Sequence, residues 1–358
     1  MSSSVTGRSR VGGLTATLLA AALALSACAT GAGGTGGAAT DAQGRIALSV
    51  AASAGSIPGL PPIVAEETGI FDRHGIDANL ITTLRGGGPI MSALSSGTAD
   101  VVAQTVSAAA TAKQQGSSVP LISAQSAGVP YILVVGRGRA STPAAAEGPE
   151  GWQETIRSLK GATIAASGGG SAFDVLLKGL YTDAGLAPTD FTNINVAHGG
   201  PEVAALQNGQ VDAVLADIGT ALALQAQAGG REVLDMTRLG PEWLTGQAWS
   251  GFLTSQAALT KNPTLADKWQ AAMADAQAWM RDPANAAELH RIATQVSKIP
   301  EDPELDQALS RFSGLLRSSF TEGQVQTTLD YMTRTGQLQA QPPVTPADIV
   351  VPNVITAG

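Results

Sequence analysis

The stretch that decides the fold is Arg85–Ala103, RGGGPIMSALSSGTADVVA, because it returns 112 residues later at Ala197–Leu215 as AHGGPEVAALQNGQVDAVL. Gly87/Gly199, Gly88/Gly200, Pro89/Pro201, Leu94/Leu206, Gly97/Gly209 and Asp100/Asp212 keep the same spacing. In each copy the proline is pre-set for a first helical turn, and Gly97 or Gly209 supplies a left-handed stop. An aspartate then leads into an apolar run, where a turn residue is the expected role and catalysis is not. A period this long, present twice, predicts duplicated domains and not a solenoid.

Working outward, each copy opens on a small-residue strand followed by a Gly/Ser loop and a helix. The openings are Ile46–Val50 before Ala54-Gly55-Ser56, and Thr163–Ala166 before Ser167–Ser171. The first copy predicts strands at Ile46–Ala51, Ala78–Thr82 and Val101–Ala103, with helices near 60–70, 89–96 and 106–115. Alternating strands and helices imply parallel sheets with crossovers. The expected fold is α/β, with two similar lobes, each a mostly parallel sheet flanked by helices, joined by a two-strand hinge. Val119–Ala124 and Pro130–Val135 read as strands passing from one lobe to the next, and Trp249–Thr254 as the strand that returns. Leu265, Trp269, Ala272, Met273, Ala276 and Met280 then recur at helical spacing, a stripe that reads as core. Further helices are expected after Asp282-Pro283, over Glu304–Leu316 and before Gly336. The organisation read from this is a leader at 1–27, a tether at 28–44, lobe I at 45–126 and 248–340, lobe II at 127–247, and an extension at 341–358.

Composition narrows the function. The 358 residues carry 21 basic and 29 acidic side chains, a net charge of −8, so no basic face is offered to nucleic acid. The only cysteine, Cys28, excludes a disulfide framework, an iron–sulfur centre and cysteine-based zinc. Its position explains it. Arg8 and Arg10 precede the uncharged apolar run Leu14–Leu25, too short to span a bilayer and suited to a signal-peptide core. The run ends in Leu25-Ser26-Ala27-Cys28, which resembles the bacterial lipobox and implies diacylation of Cys28 after cleavage. Two acyl chains suffice for stable anchoring. Residues 29–44 are rich in Ala, Gly and Thr and read as a flexible tether.

Two like lobes set their strand-end loops face to face across a cleft, and glycine-rich turns feeding helix N-termini favour anions there. The candidate ligand-binding residues are Ser53, Gly55, Ser56, Arg85, Gly86, Gly87, Gln104, Thr105, Ser167, Gly169, Gly170, Ser171, His198, Gly199, Asp217 and Trp249. Arg85 is the only arginine in these loops, and a guanidinium suits an oxyanion. Tyr131, Phe173 and Trp249 are the aromatics available to one wall. A dinucleotide fingerprint from Gly168 fails at Phe173, and no Walker lysine follows the glycines. His74, His198 and His290 are dispersed, with no H-x-x-H spacing for metal, and no G-x-S-x-G elbow occurs. Neither a catalytic centre, a metal nor a cofactor is expected.

Ala65-Glu66-Glu67-Thr68-Gly69-Ile70-Phe71, His74-Gly75-Ile76 and Gly86-Gly87-Gly88 with Ala93-Leu94, Gly97 and Ala99-Asp100 carry a family resemblance. In the second copy Leu159–Ala165, Gly185-Leu186, Ala205-Leu206, Gly209 and Val211-Asp212-Ala213 continue it, over about residues 45–290. On these stretches the chain resembles the substrate-binding proteins of bacterial ABC importers, in the nitrate/sulfonate/taurine and thiamine-pyrimidine binding group with the type II periplasmic-binding fold. The Ser141–Gly151 segment departs from the pattern as an insertion. The resemblance implies a monomeric clamp that closes on a small organic anion (sulfonate, carboxylate or aromatic acid). It also implies an ABC permease and its ATPase as partners, and an extracytoplasmic place on the outer face of the cytoplasmic membrane through the lipid anchor. Two other readings stand beside it: a ligand-sensing lipoprotein for a membrane receptor, and an enzyme resembling the pyrimidine synthases of the same superfamily. The second lacks the histidine and cysteine constellation such an enzyme needs.

Overall fold

The computed structural model describes residues 44–52, 55–84, 87–146, 151–166, 168–169, 172–197 and 199–356. The leader, Cys28 and nearly all of the tether lie outside the described residues. Two five-stranded sheets organise the rest. The first is built from β1 (Ile46–Ala51), β2 (Ile76–Ile81), β3 (Val101–Thr105) and β4 (Leu121–Ala127). The second takes β5 (Tyr131–Val135), β6 (Thr163–Ala165), β7 (Thr192–Ile194), β8 (Ala213–Asp217) and β9 (Arg231–Asp235). β10 (Ala248–Thr254) then returns to the first sheet.

The strand orders are β2-β1-β3-β10-β4 and β7-β6-β8-β5-β9, the same arrangement twice. β1 runs parallel to β2 and β3, and β6 parallel to β7 and β8. β10 is antiparallel to β3 and β4, and β5 is antiparallel to β8 and β9. In each sheet the antiparallel strand is the one delivered by the chain as it arrives from the other lobe. The α/β fold with two mostly parallel lobes is therefore as the sequence predicts.

The longer helices are α1 (Leu60–Glu67), α2 (Gly87–Ser95), α3 (Val106–Gln114), α4 (Ala172–Asp183), α5 (Gly200–Gln207), α6 (Ile218–Ala228), α7 (Leu265–Arg281), α8 (Leu305–Leu315) and α9 (Glu322–Arg334). The single helix expected near 60–70 ends at Glu67, and a short turn Ile70–Arg73 follows it. Gly69 separates the two at φ 66°, a left-handed value that glycine adopts without strain.

Each sheet is covered on both faces. In the first, α1 and α7 pack on one side, where Trp269 lies 5.4 Å from Phe71 and 5.3 Å from Phe252 by ring centroid. α2, α3 and α9 pack on the other. In the second, α4 covers one side, and Tyr181 meets Phe191 there at 4.5 Å. α5 and α6 cover the other face, in a core that also takes in Leu60 and Ile63 of α1 and Leu309 and Phe312 of α8. α8 thus touches both lobes, and its Arg311 reaches Glu232 at 3.0 Å and Asp235 at 2.7 Å on β9.

The segment read as a trailing extension is packed instead. Ile349 and Val354 are buried, and Ile355–Thr356 pairs in parallel with Phe320–Thr321. The described part of the insertion is also tied down, since Ala145 N donates to Val233 O and Thr155 Oγ1 donates to Pro143 O. Among the described residues no helix is long and apolar enough to cross a membrane.

Candidate functional site

A cavity of about 220 Å³ lies between the two sheets at their hinge. Lobe I contributes Ser56 to Gly59 at the entry to α1, and Ala103, Gln104 and Thr105 at the end of β3. Lobe II contributes Asp217, Ile218 and Gly219, where β8 becomes α6. The crossing strands supply Gln125, Ser126, Tyr131, Trp249 and Ser250, and Phe312 of α8 closes one side. Carboxyl ends of parallel strands are where a doubly wound sheet presents a ligand site.

Of the candidates named from sequence, the structure brings Ser56, Gln104, Thr105, Asp217 and Trp249 together around this cavity. Gly55, Gly87, Gly169 and Gly199 are not among its lining residues. Gly55 N donates to Ser297 O, Gly87 opens α2, Gly169 is exposed, and Gly199 N donates to Glu202 Oε2 at 3.0 Å. Ser53, Arg85, Gly86, Ser167, Gly170, Ser171 and His198 lie outside the described residues.

At each helix start facing the cavity one backbone amide is bonded from within the chain. Gly59 N donates to Ser56 O at 3.1 Å. Thr105 Oγ1 accepts from Ala108 N at 3.2 Å and so caps α3. Asp217 Oδ1 accepts from Thr220 N and Oδ2 from the Thr220 hydroxyl, both at 3.0 Å, capping α6. Thr105 and Asp217 occupy the same place in the two copies, 112 residues apart.

Sequence reasoning missed the polar floor. Gln125 Nε2 donates to Pro58 O at 2.6 Å, which turns the amide oxygen toward Ser250 Oγ at 3.1 Å. An amide oxygen only accepts, so Ser250 spends its proton on Gln125. The 2.7 Å contact between Ser126 and Ser250 must then use the proton of Ser126. The chain of bonds runs one way, and both hydroxyls are left with oxygen lone pairs. The signal for this floor was the polar pair Gln125-Ser126 breaking an apolar run.

Tyr131 forms the aromatic wall. Its ring lies 4.4 Å from Phe173 and 6.0 Å from Trp249 by centroid. It is the register partner of Asp217 across β5 and β8. Burial first, then the carboxylates of Asp217 and Glu202, push its phenol well above the ordinary tyrosine value, so it keeps its proton at neutral pH. Asp217 is the one charged side chain among the described lining residues. Among the described residues no group of three or more His, Cys, Asp or Glu side chains could hold a metal ion.

Two like sheets hinged by a pair of crossings around a cleft define the periplasmic-binding-protein class of fold. The chain belongs to the NMT1-like family, whose model matches residues 56–294, more than half of its length. Among curated proteins no sequence matches it. Solved structures share its fold. A protein of Bordetella bronchiseptica RB50 is 22% identical, with a TM-score of 0.65 over 85% of this chain and 94% of that one. The alkanesulfonate-binding protein SsuA from Xanthomonas axonopodis pv. citri, bound to MOPS, is 16% identical, with a TM-score of 0.63 over 88% of this chain and 100% of that one. The periplasmic nitrate-binding protein NrtA from Synechocystis PCC 6803 is 16% identical, with a TM-score of 0.65 over 87% of each chain. The resemblance to the nitrate/sulfonate binding group read from the sequence is thereby upheld.

Proposed function

We propose that this protein is an extracytoplasmic solute-binding lipoprotein of an ABC importer. It captures a small organic anion between its lobes and delivers it to a membrane permease and its ATPase. The observation that carries this reading is the hinge cavity, lined from both lobes and from the strands at both crossings. A ligand that touches both lobes has more contacts when they are closed, so it shifts the open–closed equilibrium toward a form that a permease can recognise. Sulfonate- and nitrate-binding proteins among the structural neighbours support an anionic ligand. Arg85 is the residue assigned to the anionic group, and Cys28 the residue assigned to the lipid anchor.

Isothermal titration against alkanesulfonates, carboxylates and aromatic acids tests the ligand class. Binding of at least one acid, weakened about tenfold or more by Arg85→Ala, is expected from loss of a charge-assisted hydrogen bond. A response only to neutral pyrimidines or peptides would overturn it. For the anchor, the protein expressed from its full gene should sediment with membranes and carry the mass of a diacylglyceryl group. Cys28→Ala should release it, and a membrane-bound Cys28→Ala protein would refute lipidation.

A further inference from the structure

We propose that the ligand presents a hydrogen-bond-donating nitrogen, in its simplest form a protonated amine, to Asp217 at the hinge end of the cleft. The inference rests on the reading of the cleft as the ligand site and adds a second recognised group to the anion.

The first argument is the comparison of the two caps. Thr105 caps α3 with a neutral hydroxyl, so the equivalent place in lobe II needs no charge to start α6. A carboxylate at 217 therefore brings to the cavity wall a negative charge that capping does not require. No lysine or arginine is among the described residues that line the cavity with it. Buried Glu202, on α5 of the same lobe, adds a second carboxylate whose charge is felt at Tyr131.

Access is the second argument. A methyl group at Gly219 would sit 3.4 Å from Asp217 Oδ1 and 3.7 Å from Ile57 Cδ1 across the cleft. With glycine there, the space beside the carboxylate stays open to the cavity. Third, the one-way bond chain leaves Ser126 and Ser250, which line the same cavity, with acceptor lone pairs and no proton to offer. An oxyanion set against the Asp217 carboxylate would meet repulsion, and a nitrogen that carries hydrogens would not. Tyr131 and Trp249 lie in the same wall, and aromatic rings beside a carboxylate favour an organic cation.

The test uses isosteric pairs: 4-(aminomethyl)benzoate against 4-ethylbenzoate, and 3-aminopropanesulfonate against butanesulfonate, with 4-ethylbenzylamine as an amine without the acid. By titration calorimetry at least one amino acid of these pairs should bind about tenfold or more tighter than its amine-free isostere, as expected for a hydrogen bond to a charged group. Asp217→Asn keeps an oxygen for the Thr220 amide, and Asp217→Thr imports the cap of lobe I. Either variant should bring that ratio close to one, with the loss of affinity confined to the amine-bearing ligands. Equal affinity within both pairs, preference for the amine-free acids, or an amine preference that survives both variants overturns the inference and leaves the anion reading in place. Binding of 4-ethylbenzylamine, abolished by Asp217→Asn, with no response to any acid, upholds it and removes the anion. No response to any amine overturns it outright.

Discussion

The two lobes are copies in which some equivalent residues do the same work and others do not. Asp100 and Asp212 belong to the first kind. Asp100 Oδ2 accepts from Ser49 N at 2.8 Å while Asp100 N donates to Ser49 O at 2.7 Å. Asp212 Oδ2 accepts from Thr163 N at 2.8 Å while Asp212 N donates to Thr163 O at 2.8 Å. Each aspartate staples the start of the third strand of its repeat to the first. Thr105 and Asp217 belong to the second kind: both cap the helix that follows, but one is neutral and the other charged. The difference teaches where the duplication was free to diverge. Residues that hold the sheet kept their chemistry, while residues that face the cleft kept only the part needed to start a helix.

The lobes also differ in what covers them, and the largest expected effect lies there. Lobe I borrows Trp269 from α7, outside the repeat, and wedges it between Phe71 and Phe252. Lobe II uses Tyr181 of its own α4, whose hydroxyl donates to Leu159 O at 2.8 Å. Trp269→Ala should cost about 3–5 kcal/mol by urea denaturation, the range for deleting a buried aromatic. Tyr181→Phe, which removes only the hydrogen bond, should cost about 1 kcal/mol. A Trp269→Ala loss no larger than that of Tyr181→Phe would mean that α7 is not structurally part of lobe I.

The paired staple is the next point at which the comparison can be broken. Asp100→Ala and Asp212→Ala should each cost about 1–3 kcal/mol, because each leaves a backbone N–H without its charged acceptor. The two sites sit in separate lobes and share no partner, so the double variant should lose the sum of the single losses. Unequal losses would show that Arg139, which donates from Nε to Asp212 Oδ1 at 3.3 Å, gives the second staple a support the first lacks.

Gly219→Ala sharpens the divergent pair. Alanine is a better helix residue than glycine by about 1 kcal/mol at most, so stability should hold or rise slightly. Ligand affinity should fall about tenfold, because the added methyl, in ordinary contact with Asp217 and Ile57, takes up space beside the carboxylate that a ligand group would use. Unchanged affinity with raised stability would show that the gap plays no part in binding.

Much of the fold was legible because its determinants are local. β1 falls at Ile46–Ala51 as read, and the glycine–proline starts and aspartate turns of the repeat mark where α2, α5, β3 and β8 begin. What was hidden depends on partners far along the chain. β9 carries Arg231, Glu232 and Asp235, charges that disguise it as loop, and both acids are matched by Arg311 from α8. Of the cleft, the strand-end residues Gln104, Thr105 and Asp217 were readable from their place in the repeat. The floor of Gln125, Ser126 and Ser250 was not, since its chemistry arises only when β4 and β10 pair. The proline-rich extension misled for a similar reason: composition announced no regular element, but Ile349 and Val354 are buried by contact with lobe I.

That extension has no counterpart in lobe II, and the smallest expected effect tests whether it acts as part of lobe I. The Thr345 hydroxyl and amide, and then Lys113 of α3 at 3.0 Å, hold the Asp348 carboxyl down to about 2. A carboxylate depressed on folding contributes stability that is fully present above its unfolded value, near 3.9, and is lost as pH falls through its folded value. The window of loss therefore lies between about pH 4 and pH 2 for this group. Asp348→Asn should flatten the acid limb of the stability curve in that window and lower stability slightly at neutral pH, with little change in the cleft. Lys113→Met should produce part of the same flattening, because it removes the third of the three influences on Asp348. If neither variant alters the acid limb, the bonds from Thr345 and Lys113 are too well solvated to tie the C-terminal segment to α3, and burial of Ile349 and Val354 alone holds it in place.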